Sequence, residues 1–548
     1  MKNHLMLLAN VLFAVMLSSS CMAINLSMPS IFADRMVLQR GQNVPVWGIT
    51  DAKAQVEVVF AGQKKVTKAD ANGKWRIDLN PMKASKESRI MRVSVSLNGK
   101  SKELKILDVL VGEVWLAGGQ SNMYRPFRML IGKAVDPKYE PIAEYLRNEA
   151  ATANDPLFRQ FRVGREHSVF EEKTQGRGKW SKAVPGDVNE FCGTAYFFAR
   201  ELRRELNVPV ALLSCNLGAT RVEPWIPMSA YQKNDTLKTY YEEQINLHKK
   251  QLKSWNQEKE DDKYQLELAK WQTKANEAKQ NGSKEPRKPR KPEAPNRDKQ
   301  VPSTLYNAMI HPMIPYAIKG AIWYQGESNQ NNFPEQYAMR LSAMIEGWRE
   351  AWGQNKLFFY YCQLANYKKV NSEPLEETDS WVIVQDQQRR ALTILDAGMA
   401  VLNDIGEAKD IHPKNKVDAG KRLSLWAMKQ VYGKHIVCSG PIYKSSVIKG
   451  NKVLITFDYA GSGLMVGKKH LMEPTVQVNT PLQRFQICGS DRQWEWAKAK
   501  IIGQNKVEVW HKDIQDPEEV RYAWSPNPEG ANLYNKEGLP ASLFKTKN

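Results

Sequence analysis

The sequence predicts an α/β fold built on a largely parallel sheet, with β-rich segments at both ends of the chain. Three observations predict it. An apolar run over residues 106–116 reads as a strand buried on both faces and breaks at Gly118-Gly119. Further on, Ala195, Phe198, Ala199 and Leu202 recur at helical spacing, Asn207-Val208-Pro209 stops that helix, and Val210-Ala211-Leu212-Leu213 begins another buried strand. Strand-helix-strand rhythm of this kind calls for parallel strands joined by right-handed crossovers. The same rhythm resumes at 317–324 and runs to 432, whereas 24–105 and 433–548 carry short, turn-punctuated β runs.

Taken in order, the chain begins with Lys2 and His4, an apolar run at 5–17, and small residues up to Cys21-Met22-Ala23. This is the pattern of an export signal over 1–23, cleaved after Ala23, with lipid attachment at Cys21 as the alternative. No later stretch is apolar enough to cross a membrane. Residues 24–105 read as a small β-sandwich, from Val44-Pro45-Val46-Trp47 through Gly73-Lys74-Trp75, and hold no cluster of catalytic residue types. The α/β part occupies 106–231 and 301–432. Within its second half, strands are expected at 317–324, 356–364 and 398–403, and helices at 334–352, 381–395 and 418–432. Between the halves, 232–300 is highly charged. Leu247, Leu252, Trp255, Tyr264, Leu266, Leu268 and Trp271 at roughly helical intervals predict a helical hairpin there, followed by a basic, Pro-rich connector around Arg287-Lys288-Pro289-Arg290-Lys291-Pro292. Residues 433–548 read as a second β domain.

With 548 residues and 42% hydrophobic content, the chain can bury more than one core. Part of the net charge of +20 lies in the insertion, around Arg287-Lys288-Pro289-Arg290-Lys291, and it comes without a nucleic-acid motif, so it reads as a solvated surface suited to anionic glycans, and no nucleic-acid partner is expected. Besides Cys21, five cysteines remain (Cys192, Cys215, Cys362, Cys438 and Cys488), without a CxxC pair or metal-ligand spacing. Mostly free, buried thiols and no metal site are expected. The sequence does not set an oligomeric state.

Four strand ends hold the chemistry. Ser121, in Gly119-Gln120-Ser121-Asn122-Met123, lies just past a buried strand, where open α/β sheets place their sites. The loop Asn216-Leu217-Gly218-Ala219-Thr220-Arg221-Val222-Glu223 brings a glycine whose backbone N–H can approach a ligand closely. A third loop, Gln325-Gly326-Glu327-Ser328-Asn329, offers the Asn329 amide. The last, Asp404-Ile405-Gly406-Glu407-Ala408-Lys409-Asp410-Ile411-His412-Pro413, supplies a histidine with acids nearby. A serine hydroxyl needs a base, and histidine titrates near working pH. His311 is the competitor, but it precedes its strand rather than following it. Each loop also has an ordinary structural reading, in which these residues cap the next helix.

In this order the four blocks resemble those of the SGNH hydrolases and, more narrowly, the sialate O-acetylesterase family of carbohydrate esterases. Met36-Val37-Leu38-Gln39-Arg40 and Gly73-Lys74-Trp75 extend the resemblance to the leading β-domain. It implies a three-layer α/β/α core with a parallel sheet, flanked by N-terminal and C-terminal β-sandwich-like domains. It also implies removal of O-acetyl groups from sugars, most simply from sialic acid, without a cofactor. Ser121 is the implied nucleophile and His412 the base, with an oxyanion hole from the N–H groups of Ser121 and Gly218 and the Asn329 side chain. The family spacing puts the acid three residues before the histidine, where this chain has Lys409. Asp410 is therefore the expected acid, with Asp404 or a Ser-His dyad as alternatives. Gln120, Arg221, Glu223, Gln325 and Glu327 are expected near the acetyl group or sugar. O-acetylated xylan or another plant glycan is an alternative substrate. A glycan-binding protein without turnover, or a serine peptidase, would be a different class. Export implies a periplasmic or extracellular place of action.

Overall fold

The computed structural model describes residues 24–547; the expected leader at 1–23, with Cys21, lies outside the described residues. The 20-residue strand Lys100–Gly119, β1, is buried over its second half. The remaining core strands are β2 (Asp155–Val163), β3 (Gly178–Ala183), β4 (Val210–Asn216), β5 (Gly320–Tyr324), β6 (Phe358–Cys362) and β7 (Ala397–Ala400). They lie side by side in the order β3-β2-β4-β1-β5-β6-β7. All neighbours are parallel except β3, which runs antiparallel to β2 at one edge.

Helices cover both faces of this sheet. On one face, α1 (Gly193–Leu206) and α2 (Lys416–Gln430) bring Phe198 to 5.1 Å from Trp115 and Trp426 to 6.4 Å from Tyr360. On the other, α3 (Tyr337–Trp352) sets Trp348 5.9 Å from both Trp323 and Phe359. Aromatic pairs of this kind add about 0.5–1.5 kcal/mol each beyond the area they bury. Alternation along the strands decides the faces: Trp323 of β5 points one way and Tyr360 of β6 the other.

The N-terminal strands are not separate from this sheet. Ser85–Leu97 pairs antiparallel with β1 and Val37–Gln39 pairs parallel with it, so β1 runs unbroken across the expected boundary at 105/106. Leu26–Ser27, Val44–Thr50 and Lys74–Leu79 form a further three-stranded antiparallel sheet. The insertion forms two helices, Asp235–Ser254 and Gln257–Gln280, each opened by an asparagine cap. After them the chain has no regular secondary structure through the basic prolines. Residues 442–545 form antiparallel sheets around a second apolar cluster that includes Phe457, Phe485, Val509 and Phe544. The five cysteines described are free and buried.

Candidate active site

Register decides where the loops meet. Gly119 at the end of β1 pairs with Asn216 of β4 on one side and with Tyr324 of β5 on the other. The three central strands therefore end level, and the loops that leave them emerge together. Gly119 has φ +136°, and a Cβ there would lie 2.3 Å from the Tyr324 carbonyl oxygen, so only glycine fits between these strands. The chain turns at Gln120, and Ser121 opens the single-turn helix Ser121–Tyr124. Gly218 stands beside it; a Cβ on Gly218 would be 3.8 Å from that of Ser121. Among the described residues the backbone N–H groups of Ser121 and Gly218 have no protein acceptor.

His412 arrives from farther away. Its loop leaves β7, separated from β1 by β5 and β6, so residues 401–412 recross about 14 Å of sheet at the usual strand spacing. The loop is pinned on the way. Glu407 Oε1 accepts the Lys414 N–H at 2.6 Å, and Lys414 Nζ donates to the carbonyls of Leu130 and Gly132 at 3.0 and 2.9 Å. His412 Nε2 then lies 3.0 Å from Ser121 Oγ. Asp410 Oδ1 accepts the His412 backbone N–H at 2.9 Å and stands 3.4 Å from its Nδ1. Burial pushes the Asp410 carboxyl up, but the hydrogen bonds from His412 and the Arg125 charge outweigh it and hold Asp410 below its ordinary value.

A residue with no sequence signal joins them. Arg125, one turn after Ser121, donates from Nη2 to His412 Nδ1 at 2.9 Å. A guanidinium has no acceptor, so this contact needs a bare Nδ1, whereas a bond from Nδ1 to Asp410 needs that nitrogen protonated. The two neighbours ask for opposite tautomers.

Beneath Ser121 lies a buried polar chain. Asn122 donates from Nδ2 to Glu327 Oε1 and, at 3.0 Å, to the Ile411 carbonyl, while its Oδ1 accepts from Lys416 Nζ. Asn122 thus ties the serine turn to the histidine loop. Burial pushes the Glu327 carboxyl up and brings the Lys416 ammonium down to about 7.

The structure gives several expected sugar contacts other surroundings. Glu223 is fully buried and receives Arg340, the Asn329 amide at 3.2 and 3.1 Å and the Asn332 amide at 2.8 Å. It braces Asn329, whose Oδ1 in turn accepts from the Val222 N–H at 3.0 Å and from Gln325 at 2.7 Å. Gln325 is buried and links Gln120, the Thr220 carbonyl and Asn329. Gln120 accepts the Ser328 N–H at 3.3 Å, and Glu327 belongs to the Asn122 chain. These four side chains are loop braces closed off from solvent. Arg221 is half-buried and held by Gln300, through 3.1 and 3.3 Å contacts. Asp404 pairs with Arg422 at 2.6 and 2.8 Å and takes a hydrogen bond from the Tyr534 hydroxyl, not from His412. His311 sits elsewhere, on the Lys173 carbonyl and Glu172.

The end of the insertion reaches the site as well. Lys299 Nζ donates to the Gly218 carbonyl at 2.7 Å and Gln300 to that of Ala219 at 2.7 Å, clipping the glycine loop in place. Among the described residues no group of three or more His, Cys, Asp or Glu could hold a metal ion, and no helix is long and apolar enough to cross a membrane.

Comparison with known proteins bears on this geometry. Residues 295–424 match the family described as carbohydrate esterase, sialic acid-specific acetylesterase. The sialate O-acetylesterase of Rattus norvegicus is 26% identical, over 93% of this chain and 92% of its own length. That of Homo sapiens is 25% identical, over 93% of this chain and 90% of its own. The crystal structure of a carbohydrate acetylesterase from Xanthomonas citri matches at 32% identity with a TM-score of 0.74, covering 96% of this chain and 100% of that one.

Proposed function

The chain belongs to the sialate O-acetylesterase family of carbohydrate esterases, and from that premise we propose that it removes O-acetyl groups from sialic acids through an acetyl-enzyme on Ser121. It is a carboxylic ester hydrolase of acetylated carbohydrates. The observation that carries the mechanism is the 3.0 Å contact between Ser121 Oγ and His412 Nε2.

From that contact the steps follow. Oγ attacks the acetyl carbonyl while Nε2 takes its proton. The resulting oxyanion sits against the free N–H groups of Ser121 and Gly218; the third donor in this proposal is Asn329, which is buried and whose amide it would share with Glu223. The imidazolium, its Nδ1–H turned to Asp410, returns the proton to the departing sugar oxygen. A water then attacks the acetyl-serine with His412 again as base, releasing acetate and restoring Ser121.

Finer features belong to the same proposal. Residues 106–231 and 301–432 form a three-layer SGNH-type core with 232–300 as an insertion and 433–548 as a β domain, while the β segment 24–105 shares β1 with the core sheet instead of standing apart from it. The leader at 1–23 directs export, to the periplasm or beyond the cell. The test is acetate release from O-acetylated sialosides, xylans and pectins by the wild type and Ser121→Ala, with circular dichroism confirming that the variant is folded. Release from sialosides that disappears in the variant is the expected result. Release from xylan or pectin alone would move the substrate to plant glycans. Binding without release would replace the esterase by a glycan-binding protein.

A further inference from the structure

Arg125 is a half-buried guanidinium beside the catalytic histidine, and among the described residues it forms no ion pair. A cation in that position ordinarily has a carboxylate partner. Its backbone is fixed, since its N–H donates to the Ser121 carbonyl at 2.9 Å and its carbonyl accepts the Gly193 N–H at 3.0 Å. Its side chain has one protein partner, His412 Nδ1, and the remaining guanidinium N–H groups are solvent-accessible with no protein acceptor. The charge thus reaches solvent beside His412 with most of its donors unused.

The one contact it makes is unproductive. While Arg125 donates to Nδ1, a neutral His412 carries its proton on Nε2 and donates it to Ser121 Oγ, so it cannot accept the serine proton. Base catalysis needs the other tautomer, with Nδ1–H facing Asp410 at 3.4 Å and a bare Nε2. Something must therefore draw the guanidinium off Nδ1 when the right ester is present.

We infer that Arg125 binds the carboxylate of an acidic sugar substrate and, in doing so, releases His412 into its productive tautomer. This rests on the esterase reading of Ser121 and His412 and adds to it what the site selects. A carboxylate offers the guanidinium two acceptors in the fork geometry it prefers, a better partner than one imidazole nitrogen. Once Arg125 has turned, solvent carries the proton from Nε2 to Nδ1, where Asp410 accepts it in a hydrogen bond, and no bond to substrate is made or broken. Arg125 lies one imidazole and two hydrogen bonds away from Oγ, at most about 8 Å, within reach of two substituents carried by one sugar residue. The acidic sugar is thus the acetylated residue itself.

The experiment compares mono-O-acetylated methyl sialosides with the same compounds carrying the carboxylate as its methyl ester, using the wild type and Arg125→Met. The wild type is expected to favour the free acid by about 10- to 100-fold in kcat/KM, the worth of one charge-assisted pair. The preference should appear in kcat as well as in KM, because a group that only anchors substrate would move KM alone. In Arg125→Met it should collapse to near unity, and Arg125→Lys should restore part of it. Equal wild-type rates on acid and ester would overturn the inference while leaving the esterase intact, as would a preference that survives Arg125→Met. The wild-type comparison decides the matter even where the variant does not fold. No acetate from either sialoside, with release from a neutral acetylated glycan, would overturn both this inference and the choice of sialic acid.

Discussion

The substitution Glu223→Gln tests how the oxyanion loop is held. Glu223 and Arg340 have side-chain exposures of 0% and 1%, so neither charge is solvated in the fold. Arg340 also donates to Gln336 at 2.9 Å, but its Nε is buried without a partner, and the Glu223 charge is what balances it. Removing one member of such a pair strands the other and costs about 3–5 kcal/mol. In addition, Glu223 receives the Asn329 amide on both carboxylate oxygens, and a glutamine nitrogen at either place would oppose that donor. Asn329 should turn, and the loss of one oxyanion donor lowers kcat by about 10²- to 10³-fold. The assays are urea unfolding and hydrolysis of 4-nitrophenyl acetate. The paired variant Glu223→Leu with Arg340→Met, which removes both charges, should recover most of the stability but not kcat, because Asn329 still lacks its acceptor. A wild-type urea midpoint with full kcat in Glu223→Gln would refute the reasoning.

Three more predictions follow from the same contacts. Asp410→Asn should lower kcat by on the order of 10²- to 10⁴-fold, while Asp404→Asn, which breaks the pair with Arg422, should leave kcat near wild type and shift the unfolding midpoint; the reverse pattern would hand the acid role to Asp404. Lys416 titrates at about 7 in the fold against 10.5 as its ordinary value, so between these values the unfolded chain binds a proton that the native chain lacks. Wild-type stability relative to Lys416→Met should therefore rise from pH 7 towards 10, by at most about 1.4 kcal/mol per pH unit, and a flat difference in urea unfolding would contradict the buried cation. Lys299→Ala, which removes the clip on the Gly218 carbonyl, should reduce kcat about 10- to 100-fold with little change in KM; unaltered steady-state kinetics would free the insertion from any role in the site.

The skeleton of the fold was legible because its strands are apolar runs. β1, β4 and β5 stand out from their Val, Leu, Ile and Trp content, and the helices of the second half show the expected period. β2 was not legible. It carries Arg159, Gln160 and Arg162, and what makes it a buried strand is distant: Arg159 pairs with Asp108 at 2.8 Å and donates to the Arg35 carbonyl at 2.8 Å. Likewise, nothing in the local pattern shows that the strand starting near residue 100 serves the N-terminal sheet and the core at once.

For the site, the legible part is what topology dictates. A serine, a glycine, an asparagine and a histidine that each follow a core strand must come out at the same end of a parallel sheet, and Ser121 and His412 meet there across 291 residues. Which polar side chains face the cleft was not legible. Glu223, Gln325 and Glu327 occupy the same kind of position as Asn329, and only the buried partners Arg340, Tyr337 and Asn122 show that they brace loops. Arg125, Lys299 and Lys416 went unread for a related reason, since basic residues near a turn or helix start usually lie in solvent.

The most direct test of the central claim is rapid-quench mass spectrometry of the wild type mixed with an O-acetylated sialoside. Acetylation of one residue, Ser121, formed and lost on the timescale of turnover, is the predicted result. Turnover with no acetyl group on Ser121, or with the label on another residue, would contradict it.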